Sequence, residues 1–191
     1  MKEILKEIYK HEILYGSASI KVPNELIKEG YVIPTSDGFK LSEKGREKIT
    51  IIVCGGVFDI LHLGHVFFLE KAKKFGDMLI VIVARDSTVI RNKGRKPIIP
   101  EKQRVKMVNY LKPVDLAVLG KENDYIEIIE EINPDIIVFG PDQEVLEAEL
   151  KEKLKERGIN VKVEKIKERL NSPLTSTREI LKKITERNFE T

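Results

Sequence analysis

The stretch from Ile51 to His65, Ile-Ile-Val-Cys-Gly-Gly-Val-Phe-Asp-Ile-Leu-His-Leu-Gly-His, limits what this chain can fold into more than any other. It opens with a short, mostly β-branched apolar run, which predicts a buried parallel strand. Gly55-Gly56 then lets the backbone turn sharply and approach a ligand closely. A helix start follows, carrying His62 and His65 with Gly64 between them. In the first turn of a helix this spacing puts both imidazoles on one side, beside backbone N–H groups that lack intrahelical partners. Two neutral imidazole donors, free amides and the positive end of the helix dipole suit a phosphate whose charge shifts during a reaction. The plainer reading is a capping histidine and a core histidine. The position of His-x-Gly-His directly after a strand and Gly-Gly favours phosphate chemistry.

From Thr50 onward strands and helices alternate. The pattern predicts a helix through Val66–Phe75 ended by Gly76, a strand over Met78–Ala84, a helix over Pro100–Leu111 and a strand over Val114–Leu119. It continues with a helix over Tyr125–Ile132, a strand over Asp135–Phe139, a helix over Gln143–Arg157, a strand over Ile159–Val163 and a closing helix over Thr177–Arg187. Such alternation implies an α/β fold, a Rossmann-like doubly wound five-stranded parallel sheet with right-handed crossovers. The ligand is then expected at the carboxyl ends of the strands, where the strand order reverses.

Residues 1–49 read as a separate small module and 50–191 as the main domain. Lys2–Tyr15 has helical apolar spacing, Pro23–Gly30 starts with Pro and ends with Gly, and Tyr31–Ile33 with Phe39–Leu41 predicts a hairpin bent at Asp37-Gly38. Helices followed by a hairpin resemble a shortened winged helix, a module that often reads DNA. Here basic and acidic residues are nearly balanced and the candidate reading helix carries Glu25 and Glu29, so packing or dimerisation is favoured over DNA. The absence of a Gly/Ser-rich linker before the first strand predicts that the two parts pack together.

Composition narrows the classes further. A chain of 191 residues has room for one domain and a small appendage. Its 34 basic and 31 acidic residues leave a net charge of only +3, so there is no global basic field to attract nucleic acid. The single cysteine, Cys54, excludes an intramolecular disulfide and sits inside the first strand as a small core residue. The apolar runs are too short for a membrane span, and a cytoplasmic location is expected.

Gly-Gly-Val-Phe-Asp-Ile-Leu-His-Leu-Gly-His resembles the first signature of the small nucleotidyltransferases of the cytidylyltransferase type. Arg-Lys-Pro-Ile-Ile-Pro-Glu-Lys-Gln-Arg, residues 95–104, is similar to a loop of the archaeal FAD synthetases within that family, and the resemblance covers about residues 51–180. It implies that His62, His65 and Lys96 carry catalysis and that Gly55, Gly56, Val57, Phe58, Gly64 and Lys93 contact the nucleotide. Arg104 is expected to face the site from the next helix and to bind the acceptor together with Arg85 and Asp86. Taken alone, the basic run Arg91, Lys93, Arg95, Lys96 is an ordinary solvated surface; its place beside the histidines favours a phosphate clamp. Asp142, in Gly140-Pro141-Asp142, is either part of the family's nucleotide-holding Gly-x-Asp element or a helix N-cap. Arg169, Ser176 and Thr177 resemble the second signature, an arginine followed by Ser-Thr at a helix start, with looser spacing.

The family mechanism implied is in-line attack by an acceptor phosphate on the α-phosphorus of a nucleoside triphosphate. Mg²⁺ is expected on the triphosphate, and no protein metal cage is evident. FMN adenylyltransfer from ATP is the leading expectation. The alternatives are cytidylyl transfer from CTP to a small alcohol phosphate such as glycerol 3-phosphate, or a nucleotide-sensing DNA-binding regulator. The resemblance also implies a homodimer.

Overall fold

The computed structural model of the chain describes residues 1–122 and 124–187. The first part holds α1 (Lys2–Tyr15), α2 (Asn24–Lys28), the hairpin β1 (Val32–Thr35) and β2 (Gly38–Leu41), and α3 (Glu43–Arg46). Then follow β3 (Ile51–Gly56), α4 (Leu63–Lys73), β4 (Met78–Val83), α5 (Asp86–Lys93), α6 (Glu101–Asn109) and β5 (Leu116–Leu119). The chain continues through α7 (Tyr125–Ile132), β6 (Ile136–Phe139), α8 (Glu144–Glu156), β7 (Lys162–Lys165) and α9 (Thr177–Arg187). The five strands from β3 onward form a parallel sheet in the order β5-β4-β3-β6-β7. The order reverses between β3 and β6, so the loops leaving their carboxyl ends face each other across the crevice expected for a ligand.

Side chains alternate across the sheet, and each face has its own core. Ile52, Cys54, Leu79, Val81, Ala117 and Val138 pack on Leu69 and Ala72 of α4 and Val108 of α6. Ile51, Val53, Met78, Ile80, Leu116 and Ile137 face the other way, against Ile126, Ile129 and Ile132 of α7 and Leu150 and Leu154 of α8. The same cluster contains Leu5, Ile8 and Tyr9 of α1, together with Val22, Leu26 and Val32. The N-terminal segment therefore shares a hydrophobic core with the sheet. Leu5 and Ile8 are fully buried, each contributing about 1.5–3 kcal/mol.

A polar pattern at the amino edge of the sheet fixes this attachment. Asp77, Asp115 and Asp135 each stand directly before a strand, and their carboxylates accept from Thr50 N, Leu79 N and Ile51 N at 2.9, 2.7 and 2.6 Å. Cations of the first part close on the same carboxylates: Lys2 on Asp77 and Lys6 on Asp115, both at 2.8 Å, and Arg46 on Asp135 at 3.0 Å. Burial alone pushes the Asp115 carboxyl up, but hydrogen bonds from Lys6, Lys73 and Leu79 N outweigh it and hold it below its ordinary range. The N-terminal segment thus grips the end of the sheet opposite the crevice.

Several boundaries differ from the sequence reading. β7 runs over Lys162–Lys165, not 159–163, because α8 ends in a left-handed Gly158 whose follower, Ile159, donates to Leu154 O. β5 starts at Leu116 because Leu79 N is taken by the Asp115 carboxylate and Val114 N still bonds back to Leu111 O. The hairpin turns at Ser36-Asp37, with Thr35 paired to Gly38. Gly38 has φ 143° and sits in the strand, where a Cβ would collide with the Ala18 carbonyl. Between β4 and the helix predicted from Pro100, where the pattern places no element, the chain forms α5, ended by Gly94 in the left-handed region. No described helix is long and apolar enough to cross a membrane.

Because α1 is part of the core under the sheet, Ile8→Ala is expected to lower global stability by about 3 kcal/mol. Urea unfolding followed by circular dichroism should show this as one shifted transition. A small early transition with the main one unmoved would mean that the first part unfolds on its own.

Candidate active site

The carboxyl end of β3 leads into a tightly folded loop. Phe58 takes a left-handed backbone, φ 52°, unusual for an aromatic residue and worth roughly 1–3 kcal/mol of strain. That conformation turns its buried ring back over Gly56, where a Cβ would lie 2.8 Å from the ring, and places it 5.1 Å from the His65 ring. His62 is the N-cap residue of α4 in position only, since its side chain makes no capping bond. Its ring instead stacks on His65, with centroids 3.7 Å apart and planes 20° from parallel. Both Nδ1 atoms are buried without a hydrogen-bond partner among the described residues.

Stacked imidazoles at this distance resist charging. Burial pushes the His65 pKa down to about 4, helped by the neighbouring His62 and by the charge of Lys93. Burial also lowers that of His62, with the Glu179 carboxylate acting the other way. Near neutral pH the pair is therefore a neutral pair of ring donors at a helix N-terminus, a combination suited to phosphate oxygens.

The basic segment forms the neighbouring wall. Lys93 closes α5, Arg95 and Lys96 follow Gly94, and all three are exposed. Asp59, only 5% exposed, ties this wall to the histidine loop: its Oδ1 accepts from Ile99 N at 2.9 Å, and its Oδ2 stands 4.0 Å from Arg95. Arg91 points elsewhere, onto the Glu122 carbonyl at 3.4 Å. The residues expected to bind the acceptor are bonded to partners within the protein. Arg104 has no exposed surface and spends its guanidinium on Val57 O, Ala84 O, Ile99 O and Asp86. Arg85 bonds Gly120 O at 2.8 Å and Glu101 at 3.1 Å. Asp86 binds Arg104 at 2.6 Å and accepts from Glu101 N at 3.3 Å. A buried guanidinium is stable only where its donors find partners, and these groups meet four of the five; the trio holds the crevice walls together.

Across the reversal point, Gln143 bridges the two central loops: its Nε2 donates to Gly55 O at 3.1 Å and its Oε1 accepts from Gly140 N at 2.7 Å. Gln143, not Asp142, stands at the N-cap of α8, and the exposed Asp142 carboxylate pairs with Arg169. Arg169 and Asp142 are thereby brought together although 27 residues apart. The start of α9 presses on the start of α4, since a Cβ on Gly64 would lie 2.5 Å from the Thr175 carbonyl oxygen. Ser176 caps α9 by accepting from Glu179 N, and Glu179 Oε2 accepts from Thr175 N and Ser176 N. The segments carrying His62, His65, Gly64, Ser176 and Thr177 thus meet at one end of the sheet, with Lys93 near enough for its charge to reach His65.

Three participants were passed over in the sequence. Glu179 carried a readable signal, the capping box Ser176-x-x-Glu179. Asp59 sits inside the signature itself, but nothing local shows that its partner is Ile99. Gln143 gives no local signal for its bond to Gly55, 88 residues away. Among the described residues no group of three or more His, Cys, Asp or Glu is placed to hold a metal ion.

The histidine environment has a pH signature. His65 has a folded pKa of about 4, below its ordinary 6.5, so between those values the unfolded chain binds more protons than the folded one. Stability should fall as pH drops from 6.5 toward 4 and be indifferent to His65 above 6.5. An NMR titration of the His65 ring is expected to show a midpoint near 4; a midpoint near 6.5 would contradict the buried stack.

Comparison with known proteins matches this stretch of chain. A sequence model described as cytidylyltransferase-like fits residues 53–183. The FAD synthase of Methanothermus fervidus is 54% identical over 138 residues, 71% of this chain and 94% of that protein. The FAD synthase of Thermoplasma acidophilum is 47% identical over 139 residues, 71% of this chain and 97% of that protein. Among solved structures, the lipopolysaccharide core biosynthesis protein from Thermoplasma volcanium is 46% identical, with a TM-score of 0.60 over 64% of this chain and 99% of that one. The matched residues run from β3 into α9, the stretch that builds the crevice, and the chain belongs to the cytidylyltransferase-like family.

Proposed function

We propose that this chain is an FAD synthase, which transfers the adenylyl group of ATP to the phosphate of FMN and releases pyrophosphate. The observation that carries the reading is the convergence of two helix starts: Gly64, between the stacked His62 and His65 of one, lies against the Thr175 carbonyl just before the Ser176-Thr177 start of the other. The near-full-length likeness to FAD synthases supports the choice of nucleotide and acceptor.

An FMN phosphate oxygen attacks the α-phosphorus of ATP in line. One P–O bond forms to the acceptor, and the bond between the α-phosphorus and the bridging oxygen breaks, sending its electron pair to pyrophosphate. The acceptor phosphate is already ionised near neutral pH, so no protein base is needed. Catalysis comes from positioning and from charge stabilisation. His62 and His65 donate to oxygens on the α-phosphorus. Lys93 and Lys96 neutralise the growing charge, and Arg169, Ser176 and Thr177 hold the departing pyrophosphate. ATP enters as its Mg²⁺ complex, with the ion carried on the triphosphate.

The test is a pyrophosphate-release assay with Mg²⁺, crossing ATP and CTP with FMN and glycerol 3-phosphate. Turnover is expected with ATP and FMN, falling by about 10²–10³ in His65→Ala, the usual cost of one donor to developing phosphate charge. Turnover with CTP and glycerol 3-phosphate alone would replace the flavin reading. Gly64→Ala forces a Cβ against the Thr175 backbone and should abolish most of this activity, with far-ultraviolet circular dichroism unchanged.

A further inference from the structure

The start of α9 carries a contact that its cap does not require. In an ordinary capping box the third helical residue accepts from the N-cap amide. Here Glu179 Oε2 accepts from the Ser176 amide at 3.2 Å and also from the preceding Thr175 amide at 2.7 Å. Binding both amides fixes the peptide whose other end, the Thr175 carbonyl, rests against Gly64. The next two amides, Thr177 N and Arg178 N, have no hydrogen-bond partner among the described residues. Those amides stand at the same junction as the His62 ring.

We propose that Glu179 is a positioning residue of the nucleotidyl-transfer site: its carboxylate locks the start of α9 onto the start of α4, so that the Thr177 and Arg178 amides and the histidine pair address one polyphosphate. The assignment rests on the nucleotidyl-transfer reading and adds the device that keeps the two helix starts in register. The observed bonds need an acceptor oxygen, and the negative charge is a by-product. Glutamine, which keeps the oxygen and loses the charge, should therefore serve, whereas alanine should not. Loss of the charge also removes a repulsion toward the polyphosphate.

Two measurements test this on the full chain with Glu179→Ala and Glu179→Gln: calorimetric binding of inorganic pyrophosphate and of MgATP, and kcat and KM for ATP in the FMN assay. Alanine is expected to weaken binding of both probes and raise KM for ATP by about tenfold, the scale expected when a lost cap lets a binding group drift. Glutamine is expected to bind at least as tightly as the parent. Alanine within twofold of the parent, or glutamine as weak as alanine, would overturn the assignment, as would a parent that binds neither probe. Glu179-dependent MgATP binding without FAD formation keeps the positioning role and removes the flavin reading. FAD formation indifferent to Glu179 does the reverse.

Discussion

The central strand β3 must have its backbone groups satisfied at both ends, and the way each end is met divides the molecule into a structural pole and a chemical pole. At the amino end, Thr50 N and Ile51 N are taken by Asp77 and Asp135. At the carboxyl end, Gly55 O receives Gln143, and Gly56 O receives Ala84 N. A buried backbone group left unpaired costs about 1–3 kcal/mol, so these partners are constraints on the fold. Because they come from the residues before β4 and β6 and from the loops after them, the same bonds that finish β3 align its neighbours.

The structural pole accounts for the first fifty residues. Carboxylates collected at the amino edge of a sheet repel one another, and Lys2, Lys6 and Arg46 compensate that charge while Leu5 and Ile8 fill the apolar face beside it. The relatives are matched over nearly their whole length without this much chain. What is added to the shared fold here lies under the sheet and away from the crevice.

At the chemical pole, neutrality and positive charge are kept apart. His62 and His65 are pressed together and half-buried, so they stay uncharged, while Lys93, Arg95 and Lys96 stand in solvent beside them. A site of this kind attracts a polyanion through its exposed cations and orients it through donors that add no further charge to be desolvated. Arg104, the most deeply buried cation, belongs to neither group; it welds the walls on which the others stand.

Sequence by itself determined the α/β alternation, the first buried parallel strand, the His62–His65 pair at a helix start and the location of the basic run. Each of these rests on local periodicity, glycine placement or spacing within a few residues. Strand limits slipped wherever a side chain or a helix end claimed the backbone first, as at Asp115 and Gly158. Only the tertiary structure decided which charged residues face the crevice. Arg104 and Lys96 look alike in sequence, and they part because one is buried among the carbonyls of Val57, Ala84 and Ile99 while the other is exposed, without a partner among the described residues. The meeting of Gly64 with Thr175 and of Asp142 with Arg169 was equally invisible, because long-range proximity is set by how the strands pair and leaves no mark on either segment alone.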